Sequence, residues 1–389
     1  MSKSRQPSKL RSDRPLRVLL FGDYSNYTPA MADALQQCGC EVTTASEGCF
    51  FMDTDRDINI RRRLPGKLGG IDLYARLHTT LAPRLSGFDV VGLNNPSALT
   101  LRPRRVRAVI DMLRRRNGSM FLMGTGYDPY VIEELTDPSS AIRYTEWHNA
   151  DGSPAPLAME HPDFYGWLAP ELKELARYVY ARADGMTTAL YEYWIAGQRV
   201  LDADKVGYAG IPVDVDKVTP TGLDETPRKV RIFLGRHSSR LLEKGTDLLE
   251  TAARRVVEAH PDKAELVIVE DRPYSEYLQL LDSAHIVLDQ VYSYTPATNA
   301  LLAMARGKTV LSGAEEDFYD FIGEKELRPI INALPDVNQL QNAMTDLVLH
   351  PESLRSRGLE SREFVERHNS PRVVATRVLS HWQRCLCGT

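Results

Sequence analysis

The chain has 389 residues, of which 43% are hydrophobic and 26% charged. At roughly 150 residues per domain, this length predicts two or three domains, each able to bury a hydrophobic core. With 48 Lys and Arg against 52 Asp and Glu, the net charge is −4, too close to neutral for a protein that binds nucleic acid along its length. The composition also excludes collagen, a coiled coil and wholesale disorder.

The charge is distributed unevenly along the chain. Residues 1–116 contain 20 Lys and Arg and 11 Asp and Glu, a balance of +9, so the remainder carries −13. Clusters of basic residues occur at 61–63, 104–105 and 114–116. They are either solvated faces or a surface that meets an anionic partner. The second interpretation predicts peripheral contact with the inner face of a membrane, through segment 61–67 and through Lys3, Arg5, Lys9 and Arg11.

The sequence also predicts a location. No run approaches the roughly 18 to 20 apolar residues of a membrane span, and residues 1–14 lack the apolar centre of a signal peptide. The 5 cysteines are an odd and sparse set, which favours a reducing compartment over a disulfide framework. We therefore expect a cytoplasmic protein.

The first half of the chain alternates short apolar runs with helical patterns. Predicted strands cover 16–22, 41–44, 89–93, 119–123 and 185–189, and predicted helices cover 28–39, 104–115 and 170–182. This alternation is typical of a parallel, doubly wound sheet. Residues 136–169, rich in Pro, Gly, His and aromatics, show no clear period. They form either an irregular excursion near a site or a long surface loop.

The pattern restarts after a proline-rich, acidic stretch at 213–228, which is typical of a linker. Strands are predicted at 230–234, 265–269, 285–288 and 309–311, helices at 245–259, 274–281 and 296–306, and further helices within 336–385. The fold class is therefore α/β, with two Rossmann-like domains at 16–212 and 229–370 that face a ligand-binding cleft. Residues 1–15 would be a basic flexible tail, and 371–389 a helix that returns to the first domain.

A basic loop follows the first strand of the second half. It runs from Gly235 to Gly245 and contains Arg236 and Lys244, with the start of a helix behind it. Cationic donors beside helix amides suit a diphosphate, because both favour the negatively charged oxygens. The alternative is a flexible, solvated basic loop.

Two helix starts share a Thr-Pro-Ala sequence. Thr295 and Pro296 begin one in the second half, and Thr28 and Pro29 begin another at the matching place in the first half. A threonine cap followed by proline at the first helical position leaves the first amides free to bind an anion. Either start, taken alone, is more often structural.

Short motifs recur in a fixed order through the second half. They are Leu234-Gly235-Arg236, Lys244-Gly245, 266–269, 277–281, 283–290 (SAHIVLDQ) and 303–308 (AMARGK). This succession resembles the donor half of retaining GT-B glycosyltransferases of the large, family 4-like group that uses nucleotide sugars. The resemblance implies the GT-B fold over the whole chain, with Arg236 and Lys244 holding the donor diphosphate as the catalytic cations.

The chain also departs from that group, since Tyr294 and Leu302 stand where two donor-site glutamates are usual. The resemblance and the strand ends together give the predicted donor-binding residues: Gly235, Asp289, Tyr294, Thr295, Pro296, Asn299 and Glu316. Glu315 and Asp317 are weighed beside Glu316. The predicted acceptor-side residues are Asp23, Tyr24, Asn95 and Asp128. No metal and no cofactor are expected, because the two cations would take the place of a divalent ion.

The resulting hypothesis is glycosyl transfer, with retention, from a nucleoside-diphosphate sugar to a glycan, lipid-linked or other acceptor in cell-surface glycan biosynthesis. One alternative is a non-catalytic protein that binds nucleotide sugars or glycans, which Tyr294 and Leu302 favour. Another is a GT-B-fold sugar epimerase. A nicotinamide dehydrogenase is disfavoured, because no Gly-x-Gly-x-x-Gly follows the first strand.

Overall fold

The computed structural model describes residues 14–49, 54–160, 166–222, 225–272 and 274–387. Most of the predicted basic tail, with Lys3, Arg5, Lys9 and Arg11, lies outside the described residues.

A seven-stranded parallel sheet organises the first half. Its strands are β1 (Arg17–Phe21), β2 (Glu41–Ser46), β3 (Ile58–Asn59), β4 (Val90–Leu93), β5 (Ser119–Leu122), β6 (Gly185–Thr188) and β7 (Val206–Tyr208). The helices of this region are α1 (Tyr27–Gln37), α2 (Gly66–His78), α3 (Pro103–Arg116), α4 (Pro129–Leu135), α5 (Pro156–Glu160), α6 (Pro170–Tyr180) and α7 (Tyr191–Gln198). The strand order is β3-β2-β1-β4-β5-β6-β7, so the chain winds outward from β1 in both directions.

A five-stranded parallel sheet organises the second half, in the order β12-β11-β10-β8-β9. Its strands are β8 (Val230–Arg236), β9 (Ala264–Glu270), β10 (Ile286–Leu288), β11 (Thr309–Ser312) and β12 (Ile331–Asn332). The helices are α8 (Leu241–Lys244), α9 (Thr246–Ala259), α10 (Tyr274–Asp282), α11 (Thr298–Ala305), α12 (Glu316–Ile322), α13 (Val337–Leu349), α14 (Ser353–Asn369) and α15 (Pro371–Cys387).

The central strands are short apolar runs because helices cover both faces of each sheet. Every residue of β4, β5, β10 and β11 is buried, as expected for parallel sheets. On α9, Leu249, Ala252 and Val256 lie on the buried stripe, at the spacing that places side chains on one helix face. The sequence prediction of two doubly wound α/β sheets is confirmed.

The chain divides into two compact units that are not contiguous in sequence. The first comprises 1–134, 165–212 and 371–389, and the second comprises 135–164 and 213–370. Segment 135–164 therefore leaves the first half of the sequence to pack with the second unit. Helix α15 packs with α1, β6 and β7 of the first unit, and its Trp382 stacks on Phe121 with the ring centroids 5.4 Å apart.

Residues 213–222, within the predicted linker, are fastened to the second unit by side chains that bind their carbonyl groups. Arg362 donates to the carbonyl oxygens of Val215 and Val218, both at 2.8 Å. Buried Lys308 donates to the carbonyl oxygen of Thr221 at 2.9 Å, and burial lowers the pKa of Lys308 to about 8. This part of the chain is an ordered element of the second unit.

Some elements differ from the sequence predictions. Helix α11 begins at Thr298, with Ala297 as its cap residue in an extended conformation, so the prediction of a Thr295 cap with Pro296 at the first helical position is wrong. Proline disfavours a helical conformation at the residue before it, and here the extended chain continues beyond it. The matching prediction of a Thr28 cap is also wrong, because α1 begins at Tyr27 with Asn26 as its cap residue. Within the described residues, no helix is long and apolar enough to cross a membrane.

Candidate functional site

Polar side chains gather where the strands of the second sheet end. Lys244 closes the loop after β8, Asp289 follows β10, and Ser312 ends β11. Because parallel strands finish at the same edge, these side chains meet although 68 residues separate the first from the last. We call this group, with Asn299 and Tyr277, the edge cluster.

Asp289 is the centre of the edge cluster. Its side chain is buried, and its Oδ1 accepts a hydrogen bond from Asn299 Nδ2 at 3.1 Å. Its Oδ2 accepts from Ser312 Oγ at 3.0 Å. Asn299 in turn accepts a hydrogen bond from the hydroxyl of Tyr277 on α10. A buried carboxylate with such partners is held in one orientation, because breaking either bond would leave a buried charge under-solvated.

Lys244 is the cation of the edge cluster. Its Nζ lies 3.7 Å from Asp289 Oδ1, and 26% of its side chain is exposed. At this distance the two charges form an ion pair, but the atoms are too far apart for a hydrogen bond. The ammonium group therefore lies at the strand ends, partly open to solvent, with hydrogen-bonding capacity that Asp289 does not use.

Arg236 is placed differently from Lys244. Its guanidinium pairs with Glu250 on α9, and its Nε donates to Glu270 on β9 at 2.6 Å. Only 18% of its side chain is exposed. The two carboxylates neutralise this cation, and its predicted role as a diphosphate ligand stays a prediction. Arg236 links β8, β9 and α9.

Gly235 allows the close approach of an aromatic ring. A Cβ atom at this position would lie 2.6 Å from a ring carbon of Tyr277 and 2.8 Å from its hydroxyl oxygen. The absence of a side chain at Gly235 thus lets Tyr277 reach Asn299. Gly235 therefore contributes to the edge cluster by leaving room for the Tyr277 ring.

Residues 135–160 form an irregular strap on the second unit, beside the edge cluster. The strap carries Arg143, whose Nη2 donates to Glu315 at 2.5 Å and whose Nη1 donates to Asp317 at 2.9 Å. Tyr144 donates its hydroxyl to Glu315 Oε1 at 2.7 Å, and Asn332 donates to the same oxygen at 2.6 Å. The strap is thereby attached to the loop after β11.

Tyr294 also belongs to the contact between strap and sheet. Its hydroxyl accepts a hydrogen bond from the backbone N–H of Arg143 at 2.6 Å, and its ring lies 5.3 Å from that of Tyr144. Burial raises the pKa of Tyr294 to about 12, so the phenol stays protonated at neutral pH. The side chain that replaces one usual glutamate is thus buried against the strap.

The other predicted donor-side residues have separate positions. Glu316 is 73% exposed and pairs with Arg328, whereas its neighbour Glu315 is buried in the contact with the strap. Thr295 is buried, and its N–H bonds to Ser293 Oγ at 3.3 Å. Pro296 is buried, and Leu302 is half-buried on α11.

Sequence reasoning missed Arg143 and Tyr144. Their nearest signal was the density of aromatics in 136–169, which indicated an excursion near a site without specifying residues. It also selected Glu316 rather than Glu315. Two adjacent acidic residues at a strand end look alike in sequence, and only the start of α12 determines which of them turns inward.

The predicted acceptor-side residues lie in the first unit, mostly at the ends of its strands. Asp23 follows β1, and its carboxylate accepts from the Thr28 N–H at 3.0 Å and from Thr54 Oγ1 at 2.7 Å. The ring of Tyr24 lies 3.2 Å from where a Cβ on Gly126 would be. These contacts hold the loop after β1 in place.

Asn95 and Asp128 complete this group. Asn95 donates to the carbonyl oxygen of Tyr127 at 2.7 Å. Asp128 accepts from the N–H groups of Tyr130 and Val131 and from the Tyr180 hydroxyl at 2.7 Å. Burial raises the pKa of Asp128. The two N–H groups are those of a cap at the start of α4, and the Tyr180 hydroxyl comes from the end of α6. These contacts suit a structural role, so the acceptor role of Asp128 stays a prediction.

Among the side chains that the structure describes, no group of three or more His, Cys, Asp or Glu is arranged to hold a metal ion.

Known structures share this architecture over nearly the whole chain. Sucrose-phosphate synthase from Thermosynechococcus elongatus aligns with a TM-score of 0.60 and 14% identity, covering 97% of this chain and 100% of that one. The Anabaena protein HepE, solved with UDP and glucose, aligns with a TM-score of 0.57 and 11% identity over 94% and 99%. A UDP-N-acetylglucosamine 2-epimerase aligns with a TM-score of 0.51 and 12% identity over 94% and 95%. The fold is GT-B.

The GT-B fold was predicted from motif order and is confirmed by these structures. No protein-family model matches the chain, and no curated protein matches it by sequence. At identities between 10% and 14%, the GT-B likeness establishes architecture, while activity has to be argued from the site.

Proposed function

We propose that this protein is a glycosyltransferase that takes a sugar from a nucleoside diphosphate and transfers it to a glycan or lipid-linked acceptor, with retention, in cell-surface glycan biosynthesis. The observation that carries the proposal is the position of Lys244, a partly exposed cation beside buried Asp289 at the carboxyl edge of a GT-B second sheet. The two ligands named with HepE, UDP and glucose, are the parts of such a donor.

Lys244 would assist the reaction by stabilising charge on the leaving group. Breaking the bond between sugar and diphosphate leaves negative charge on the phosphate oxygens. A cation already held near that place stabilises the transition state more than the ground state. Asp289 would position the ammonium group by attraction at 3.7 Å, without using its hydrogen-bonding capacity.

Recognition of the sugar and ribose would rely on neutral groups. Leu302 is half-buried, and the Tyr294 hydroxyl accepts from the strap, so neither supplies a carboxylate. Hydroxyl groups of the donor would bind to amide, hydroxyl or backbone groups, or to water. Selectivity would then depend more on the shape of the pocket than on charge.

The first experiment measures donor binding by calorimetry. UDP, UDP-glucose, UDP-N-acetylglucosamine, GDP-mannose and ADP-glucose are titrated into the full chain and into Lys244→Gln. We expect one nucleotide series to bind and its affinity to fall by about 10- to 100-fold in the variant, since a hydrogen bond to a charged group contributes about 1.5 to 3 kcal/mol. The matched control is Lys229→Gln, an exposed lysine immediately before β8, which should bind like the native chain.

Equal affinity of the Lys244→Gln variant and the native chain would remove Lys244 from the donor site. Absence of binding by any nucleotide diphosphate would contradict the donor proposal. For a donor that binds, transfer is followed by product NMR, and the anomeric configuration tests retention directly.

A binding protein without catalytic activity is the second candidate. It is favoured by the two missing carboxylates and by the pairing of Arg236 with Glu250 and Glu270. Binding of a nucleotide sugar without transfer or hydrolysis across a broad acceptor panel would establish it. Interconversion of UDP-N-acetylglucosamine with its 2-epimer in the same samples would instead identify an epimerase.

A further inference from the structure

Helix α2 carries apolar side chains on the face that points away from the core. Its buried face holds Leu73 and Leu77. On the other side, Leu68 is 68% exposed and Ile71 is 50% exposed, and they are three residues apart, as neighbours on one helix face are. Leu64, in the turn before the helix, is 49% exposed. These three residues form what we call the α2 stripe.

The α2 stripe is unusual within this molecule. The described residues include six large hydrophobic side chains that are exposed, and half of them lie within eight positions of one another in the α2 stripe. A single exposed leucine needs no explanation, but a contiguous group on one helix face marks a surface that something covers.

The surroundings of the α2 stripe are basic. Between positions 61 and 71 there are four cations, Arg61, Arg62, Arg63 and Lys67, and no acid. Arg105 of α3 joins them, since a Cβ atom on Gly70 would lie 3.5 Å from Arg62 Nη2 and 3.6 Å from Arg105 Nη1. The nearest following acid, Asp72, is paired with Arg76 at 3.0 Å.

We propose that α2 and the turn before it dock on an anionic lipid bilayer, with the α2 stripe inserted among the acyl chains and the surrounding cations at the headgroups. A helix with leucines on one side and lysine or arginine beside them lies in the plane of the membrane interface. Anionic lipids attract such cations over about a Debye length. The sequence predicted the basic contact, and the exposed apolar face adds the part that enters the membrane.

A second copy of the chain fits this surface less well. In a two-fold dimer the same patch would meet itself, which would place two clusters of four cations against each other. The same repulsion does not arise at an anionic bilayer. We therefore assign lipid as the occupant.

The test is co-sedimentation of the full chain with vesicles, without nucleotide, so its outcome is independent of the proposed donor site. Vesicles of phosphatidylcholine with phosphatidylglycerol are compared with phosphatidylcholine alone, at low and physiological salt. We expect binding to the anionic vesicles that weakens as salt increases. The variant Leu68→Ser/Ile71→Ser should bind at least about tenfold more weakly, because the apolar area that enters the membrane is lost.

The matched control removes exposed apolar residues elsewhere. Leu349 and Leu359 are 40% and 46% exposed on α13 and α14, so Leu349→Ser/Leu359→Ser should bind like the native chain. A second pair tests charge: Arg63→Gln/Lys67→Gln should bind about tenfold more weakly at low salt. Lys229→Gln/Lys263→Gln, with the same loss of charge at exposed positions of the second unit, should not.

Four outcomes would overturn the proposal. They are no binding to anionic vesicles at low salt, equal binding to neutral vesicles, native binding by Leu68→Ser/Ile71→Ser, and equal losses in the variants and their controls. A native chain that self-associates in light scattering, and becomes monomeric in Leu68→Ser/Ile71→Ser, would assign the α2 stripe to a dimer instead.

Discussion

Glu324 shows how a buried carboxylate can stabilise the fold without taking part in a site. It follows α12, and its carboxylate accepts from the N–H groups of Glu326 and Leu327 at 3.1 and 3.0 Å. His368 and Arg367 of α14 bind its other oxygen at 2.8 and 3.1 Å. Burial opposes ionisation, but the Leu327 N–H, His368 and the remaining donors outweigh it and lower the pKa of Glu324 to about 2.

The lowered pKa predicts a pH-dependent stability. A carboxyl whose pKa is lower in the folded state stabilises that state above its unfolded value of about 4.5, and the contribution disappears as the pH falls towards about 2. We expect Glu324→Gln to reduce the free energy of unfolding by about 1.5 to 3 kcal/mol at neutral pH. The difference from the native chain should shrink below pH 4.5. Urea titrations at several pH values measure it.

The control for Glu324→Gln is Glu326→Gln, two residues along the chain and exposed. It should change stability little at any pH. A constant deficit of the Glu324→Gln variant down to strong acid would contradict the assignment, since it would show a loss of packing rather than of charge.

Among single residues, the sequence pointed to Lys244, Asp289 and Asn299 as one group. In the structure Asp289 contacts both of the others. They follow from strand ends, where a parallel sheet brings distant residues together. The partners of Arg236 were not predictable: Glu250 and Glu270 pair with it from 14 and 34 residues away. The pair with Glu270 depends on the register of β8 with β9, and the pair with Glu250 depends on how α9 packs on β8. No local pattern reveals either.

Buried hydrogen bonds attach the strap to the second unit. Tyr144 donates to Glu315, which has 8% of its side chain exposed. We expect Tyr144→Phe to lower the free energy of unfolding by about 1.5 to 3 kcal/mol, because the buried carboxylate loses one of its donors. Hydrogen exchange of amides at 140–148 should also accelerate.

A tyrosine in a less buried pair provides the control. Tyr178 donates to Asp111 at 2.6 Å, where the aspartate is 35% exposed. Water can replace that bond, so Tyr178→Phe should cost less than about 1.5 kcal/mol. If calorimetry gave the same loss in the free energy of unfolding for both variants, burial of Glu315 would not be what holds the strap.

Elements with a strong apolar run or helical period were predictable, whereas weakly patterned ones were not. Strands β1, β4, β5 and β8 and helices α3, α6 and α9 follow from apolar runs and helical periods. Helix α2 was missed because its sequence, GKLGGIDLYARLH, contains three glycines and is apolar on two faces. Glycine lowers helix propensity, and two apolar faces blur the period on which the prediction relied.

For the whole molecule, α15 is the element that binds the end of the described chain to the first unit. Trp382 is fully buried and stacks on Phe121 of β5. We expect Trp382→Ala to reduce the free energy of unfolding by about 3 to 5 kcal/mol, since a large cavity would form beside the sheet. Urea unfolding monitored by circular dichroism measures the change.

Trp382→Phe is the conservative comparison. The indole N–H has no hydrogen-bond partner among the described residues, so the smaller ring loses volume but no bond. Trp382→Phe should reduce the free energy of unfolding clearly less than Trp382→Ala does. If both variants lost the same free energy of unfolding, the indole would make a stabilising contact other than its stacking on Phe121.

The first unit is built from separate stretches of chain, so the ribosome completes its sequence only after that of the second unit. Residues 213–370 are made before α15, yet α15 covers β6 and β7 of the first unit. A ribosome that adds about 5 to 20 residues per second needs about 10 to 30 seconds for that stretch. During this interval the face of β6 and β7 against which α15 packs is uncovered, and the second unit has its whole sequence before the first. A nascent chain stalled before Pro371 should therefore be a substrate for chaperones that bind exposed strands, and release should follow the emergence of α15.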